Sequence, residues 1–421
     1  MREEFLHYVW YNKKFDFSNA KTVCNKEITV IDSGKYTKGT GADFFNAQLI
    51  IDDLRWAGNV EIHLNSSDWY LHNHHNDSNY NNVILHVVWN HDVDVYYRDQ
   101  TVLPVLELKN YVAETLKSEY MNFNFSKSWI FCENQIQHIN RTILEKWKEE
   151  LFFQRLQEKA FPMKTLLDAS QNDWEAVLFC MLAKNFGLNI NGSVFFELAK
   201  SIPFSIIRKE AYEVENLEAL FLGRAGLLEN DFQDTYPKEL QNRWNYLKVK
   251  YNIADVRIEQ VEFFKHRPDN FPTIRLAQLA MLYHKNQYLF ETLIQSVSLE
   301  DFYSLFELGI SSYWNTHYVL DKESPKKRKL LSKSFIDLLV INTVIPMKYL
   351  YQHYQQKIDY QQLLQPLQAV KPEQNIIIDR FKQIGISSNN AFDTQALLQL
   401  KKHYCDHKKC MNCSIGLSLL Q

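Results

Sequence analysis

GADFFNAQLIIDDLRWAGNVEIHLNSSDWYLHNHHNDSNYNNVILHVVW, residues 41–89, decides how the chain folds. Within it DFFNAQLIIDD and WAGNVEIHL are rich in Ile, Val, Phe and Trp and are punctuated by Gly41, Asp52-Asp53 and Gly58, the pattern of successive strands. VILHVVW is nearly continuously apolar, as a strand buried on both faces must be. Between them, SSDWYLHNHHNDSNYNN offers Ser66 or Ser67 as the N-cap of a short helix. Upstream, EITVIDSGKY supplies a further strand of a β-meander and FLHYVWYNKKF a first helix. Downstream, TVLPVLELK supplies the last strand, ending near Lys109.

From about residue 112 the apolar spacing turns helical, as in RTILEKWKEELFFQRLQEKAF, DWEAVLFCMLAKNFG and FPTIRLAQLAMLYHK, with Gly187 and Pro272 in stop and start positions. The expected organisation is α+β: an α/β domain over 1–111, a mostly helical domain over 112–400 and a Cys-rich tail over 401–421. A chain of 421 residues exceeds what one core usually fills, and 11 Gly with 10 Pro leave little room for disordered linkers.

The N-terminus lacks the basic flank and apolar core of a secretion signal. The apolar segment Phe335 to Tyr351 contains Asp337, Asn342, Pro346 and Lys348 and is too short and polar to cross a bilayer. Three of the six cysteines are isolated (Cys24, Cys132, Cys180), which is no disulfide framework, so a reducing cytoplasm and no membrane are expected. Cys24 and Cys180 read as small buried residues. A net charge of −3 carries no nucleic-acid signature, and residues 1–110 hold 10 Lys/Arg against 15 Asp/Glu. The one strongly basic stretch, DKESPKKRKLLSK (321–333), reads as a solvated loop.

Six of the 14 histidines (63, 72, 74, 75, 86 and 91) crowd into a span that also holds Glu61, Asp68 and Asp77. Asp43 opens one strand, and alternation puts Glu61 and His63 on one face of the next. Asp43 and Glu61 are suited to Mg²⁺ or Mn²⁺, with His63 beside the metal-bound water as orienter or base. Otherwise Asp43 caps a turn, and Glu61 and His63 line a half-solvated sheet face. A rival site uses His72 and His74 with Asp77 or Asp68 for Zn, Mn or Fe; a helix over 69–80 would pair His72 with His75 and point His74 elsewhere. Asp68, Trp69, His72, His74, Asp77 and Tyr80 are otherwise groups that touch substrate or support the site, and His86 reads as a core histidine.

At the other end, HYCDHKKCMNCSIG sets Cys405, Cys410 and Cys413 close enough to meet at one metal, zinc or an iron–sulfur cluster. His403, His407 or Cys132 would be the fourth ligand, and Lys408-Lys409 would favour thiolates.

Helix, three strands, helix, strand, with Asp43 before the second strand and Glu61-x-His63 in the third, resembles the restriction-endonuclease-like PD-(D/E)xK nuclease superfamily over about the first 110 residues. The resemblance implies a mixed sheet flanked by helices, with Asp43 and Glu61 as the two acids and His63 in the place usually held by lysine. A second resemblance, carried by GADFFNAQL, WAGNVEIHLNSSDWYLHNH, NVILHVVW, NFPTIRLAQLA and YCDHKKCMNCSIG, is to a bacterial family catalogued as domain of unknown function 2851. The expected function is a metal-dependent phosphodiesterase acting on nucleic acid. The alternatives are a non-catalytic interaction protein on a degenerate nuclease core, or a histidine-rich metallohydrolase of a small phosphorylated substrate.

Overall fold

The computed structural model describes residues 3–37, 41–118, 128–254 and 258–419. The first helix, α1 (Glu3–Tyr11), buries Phe5, Leu6, Tyr8, Val9 and Trp10. It ends sooner than its apolar spacing suggests, because the chain turns at Lys13, whose φ is +51°. Six strands follow: β1 (Ile28–Asp32), β2 (Lys35–Tyr36), β3 (Phe44–Ile51), β4 (Leu54–Asn65), β5 (Val83–Asn90) and β6 (Val105–Glu107). They make one mixed sheet in the order β1-β3-β4-β5-β6, with β2 also on β3. EITVIDSGKY is thus one strand broken at Ser33-Gly34 into two pieces that both pair with β3.

Asp52 and Asp53 join β3 to β4, and both are left-handed, with φ of +50° and +64°. Two left-handed residues make a type I′ turn, whose twist matches that of an antiparallel hairpin. Pairing of Ile51 with Leu54 and Phe44 with Val60 follows from it. Next, β4, β5 and β6 run parallel. Parallel neighbours need a crossover, and residues 66–82 supply it. Gly58 admits the returning chain: a Cβ there would stand 2.7 Å from the Asn82 carbonyl and 2.4 Å from Ile84 Cγ2.

The crossover is not the helix over 69–80 that its sequence allows. Only Asp68–Leu71 (α2) is α-helical; Asn73 is left-handed (φ +61°), and two 3₁₀ turns, His74–Asn76 and Ser78–Tyr80, complete the path. Asn is among the few residues that adopt this conformation without large strain. The last strand is also shorter than TVLPVLELK suggests, since Pro104 has no N–H to donate and a 3₁₀ turn begins at Leu108. Residues 58–63 of β4 and 83–88 of β5 are all buried, so the centre of the sheet is covered on both faces.

The chain divides into two compact units, Met1–Trp147 with Leu400–Gln421, and Lys148–Gln399. The boundary expected near residue 112 falls inside the first unit, and the Cys-rich end belongs to that unit. The second is helical apart from one small antiparallel pair, His317–Val319 with Lys322–Glu323. Trp174–Phe186 pairs with Leu188–Lys200, and Val214–Arg224 packs on Thr235–Lys250 and Pro272–Lys285. Its basic stretch is not simply a solvated loop: Lys327 pairs with Asp269 at 2.6 Å, and Lys329 is buried against the Trp314 carbonyl. Cys180 is buried as expected, whereas Cys24 is exposed. Among the described residues, no helix is long and apolar enough to cross a membrane.

Candidate metal centre

The period of a strand places Glu61 and His63 on one face of β4, and parallel register sets Glu61 beside His86 of β5. This face is not half solvated: Glu61 is 5% exposed, His63 2% and His86 0%. The crossover covers it, anchored at its start by Ser66, whose hydroxyl donates to Asp92 Oδ1 (2.8 Å), and by Asp68, which accepts from Asn65 N (2.9 Å). Trp69 is buried edge-on against His74 and Tyr80.

The left-handed turn at Asn73 brings its two flanking histidines back to His63. His72 Nδ1 lies 3.1 Å from His63 Nε2, while His74 stacks on His63 (centroids 5.3 Å) and is backed by Tyr80 (3.8 Å). Glu61 Oε1 completes the set, 3.3 Å from His74 Nε2 and 3.5 Å from His63 Nε2. Among the described residues, His63, His72 and His74 form the group whose donor atoms all fall within 4.8 Å of one another. Donors 2.0–2.1 Å from a tetrahedral ion are separated by about 3.3 Å, and the spacings of 3.1, 3.3 and 3.5 Å lie near that value.

The electrostatics agree. Burial pushes the Glu61 carboxyl above its ordinary range, opposed by His74 and aggravated by Asp43. Burial, then His74 and His72, holds His63 down at about 3, so its imidazole is neutral and ready to ligate at neutral pH. His86 is likewise held well below the usual histidine range by burial. His63 Nδ1 and His86 Nε2 share a hydrogen bond of 2.8 Å; in the tautomer that has its proton on His63 Nδ1, His63 Nε2 is free to ligate an ion. The opposite nitrogen, His86 Nδ1, is buried without a partner.

Asp43 stands beside this set. Its backbone N–H donates to Glu61 Oε2 (3.0 Å), and its Oδ2 accepts from Ile62 N (3.0 Å) and lies 3.2 Å from His7 Nε2. His7, on α1, was not singled out in the sequence; its signal is a polar ring on the otherwise apolar FLHYVWY. It also lines a cleft of about 310 Å³ with Tyr8, Tyr11, Tyr36 and Phe44. The remaining acids and histidines are elsewhere engaged. Asp77 caps the second 3₁₀ turn, His75 packs on Tyr70, and His91 pairs with Asp94.

Fold and site together define an α+β protein whose mixed sheet and crossover gather three histidines, His72 among them exposed, beside a buried glutamate. A family model described as "Protein of unknown function (DUF2851)" matches residues 3–376, and the chain belongs to that family. No curated protein and no solved structure matches it.

Proposed function

We propose that the protein is a metal-dependent phosphodiesterase of nucleic acid, built on a restriction-endonuclease-like core and using a transition-metal ion in place of Mg²⁺. The observation that carries this reading is the convergence of His63, His72 and His74, with Glu61 Oε1 beside His63 and His74. Imidazole suits Zn²⁺, Mn²⁺ or Fe²⁺, whereas Mg²⁺ prefers an all-oxygen shell. The sheet order, with Asp43 before β3, Glu61 and His63 on β4 and a parallel β5, is consistent with the nuclease resemblance.

When bound, such an ion polarises a phosphoryl oxygen and lowers the pKa of a bound water. Glu61 and His63 would hold it from the sheet, and His74 and exposed His72 from the crossover. His7, whose Nε2 lies 3.2 Å from Asp43 Oδ2, would take the proton of the attacking water. The aromatic cleft that His7 lines gives faces on which unpaired bases stack. The acidic balance of the first 110 residues favours a second reading, a small phosphorylated substrate needing few basic contacts.

The test is hydrolysis by the full-length chain, stripped of metal and resupplied with Mn²⁺, Zn²⁺ or Mg²⁺, using single- and double-stranded DNA and RNA beside bis(p-nitrophenyl) phosphate. Cleavage of the polymers that requires Mn²⁺ or Zn²⁺ and falls by about 10²- to 10⁴-fold in His7→Ala is expected. Cleavage of the small diester alone selects the second reading. No cleavage of either, with metal bound, leaves the interaction protein.

A further inference from the structure

The cleft that His7 lines is small, aromatic and without a cation. Its volume of about 310 Å³ sits at the lower end of the roughly 300–1,000 Å³ that small ligands fill. Phe44, wholly buried, packs with Tyr36 and Tyr11 at centroid distances of 5.3 and 6.2 Å, and all three rings line the space. No Lys or Arg does. Polar groups stand among the rings: the Glu4 and Asn412 side chains belong to the lining, and His7 Nδ1 is buried without a hydrogen-bond partner.

A nucleobase has this same division, with apolar π-faces, a hydrogen-bonding edge and no charge of its own. A phosphate entering the cleft would meet the Glu4 carboxylate and no cation, and a base in a duplex has its faces stacked and its edge paired already. His7 joins the cleft to the candidate centre: its Nε2 lies 3.2 Å from Oδ2 of Asp43, whose backbone N–H donates to Glu61 Oε2 at 3.0 Å. We propose that the cleft holds one unpaired base of the strand whose neighbouring phosphodiester lies at the histidine centre, so that the substrate is single-stranded; this rests on the phosphodiesterase reading above.

The C-terminal segment completes the cleft with Met411, Asn412 and Leu417. These residues stand on the 3₁₀ turn Cys410–Asn412 and the helix Ser414–Leu419, which pack closely because Gly416 has no Cβ; one there would lie 2.2 Å from the Cys410 carbonyl. Cys405, Cys410 and Cys413 meet Cys132 around a separate, water-sized cavity of about 20 Å³, which neither His403 nor His407 lines. All three cleft residues lie beyond residue 376, where the family model's match ends, so base binding draws on sequence outside that match.

The test reads binding rather than cleavage, with oligonucleotides joined by phosphorothioates that resist hydrolysis. The full-length chain as purified is titrated with single-stranded DNA or RNA carrying one 2-aminopurine, with the matching duplex, and with the 2-aminopurine nucleotide alone. Single strands should bind about tenfold or more tightly than duplex, with the probe's fluorescence quenched by stacking. Tyr11 is 55% exposed, so its truncation removes a stacking face and little of the core. Tyr11→Ala should weaken binding by roughly 5- to 150-fold, the worth of one stacked base, while Tyr11→Phe and, in the helical unit, Tyr212→Ala retain it. Equal affinity for duplex, absence of quenching, or unchanged binding in Tyr11→Ala overturns the proposal. Equal affinity for the free nucleotide and the strand overturns the single-strand assignment in favour of a small phosphorylated substrate. Binding that depends on Tyr11 in a protein that cleaves no diester supports the base site and removes the phosphodiesterase reading, so the two fail separately.

Discussion

His86→Leu tests whether the buried imidazole pair serves metal binding or merely fills space. In the wild type, His63 Nδ1 and His86 Nε2 share a hydrogen bond of 2.8 Å, which ligation through His63 Nε2 requires His86 to accept, while His86 Nδ1 is buried and unpartnered. Leucine removes that unpartnered nitrogen but leaves the His63 Nδ1–H without an acceptor, a cost of about 1–3 kcal/mol set against a relief of similar size. The metal-free protein should therefore change little in stability. Metal binding should suffer, because losing the group that orients a ligating histidine typically weakens affinity by about 10- to 100-fold. At an ion concentration of 100 Kd, bound metal stabilises the wild type by about 2.7 kcal/mol; a 100-fold weaker site retains about 0.4 kcal/mol. For a unit of about 170 residues, 2.7 kcal/mol corresponds to roughly 5–10 °C in Tm. Calorimetry with and without Zn²⁺ or Mn²⁺ reads both effects. An equal metal-induced shift in the variant, with equal Kd by titration, would refute the reasoning that His86 sets the proton on His63.

Three further perturbations probe the scaffold. Gly58→Ala places a methyl against the Asn82 carbonyl and Ile84 and should cost about 1–3 kcal/mol in urea unfolding; a neutral result would mean that β5 enters elsewhere. Asp53→Gly relieves a left-handed non-glycine residue in the β3–β4 turn and should stabilise by up to about 1 kcal/mol, whereas a loss would exclude the type I′ turn. In the helical unit, Glu218 is wholly buried beneath Ser311, Trp314 and Tyr236, and burial raises its pKa to about 7. A raised folded pKa contributes stability that is complete below the unfolded value of 4.5 and is lost as pH rises through 7. The stability of Glu218→Gln minus that of wild type should therefore climb by about 3 kcal/mol between pH 4.5 and 8, and a pH-independent difference would contradict the assignment.

Much of the first unit is written in the sequence because its signals are local. Alternation exposed Glu61 and His63 as a same-face pair, and the nearly continuous apolar run of VILHVVW marked a strand buried on both faces. The ligands that complete the centre were harder to read. His72 and His74 converge only because Asn73 takes a left-handed turn, which a helical reading of 69–80 cannot anticipate. His86 was legible as a core residue, but its bond to His63 depends on cross-strand register. His7 reaches Asp43 from α1, a long-range contact with no periodic signature, and the spacing of Cys405, Cys410 and Cys413 left the fourth ligand open among His403, His407 and Cys132.

The central claim, that His63 and His74 hold a metal ion, is tested most directly by counting ions. Full-length wild type and the His63→Ala/His74→Ala double variant, both shown folded by circular dichroism, would be dialysed against the same trace of Zn²⁺ or Mn²⁺ and analysed for bound metal. Because all six cysteines are common to both, only the difference matters. The account predicts one equivalent fewer in the variant; equal metal content in the two proteins would contradict it.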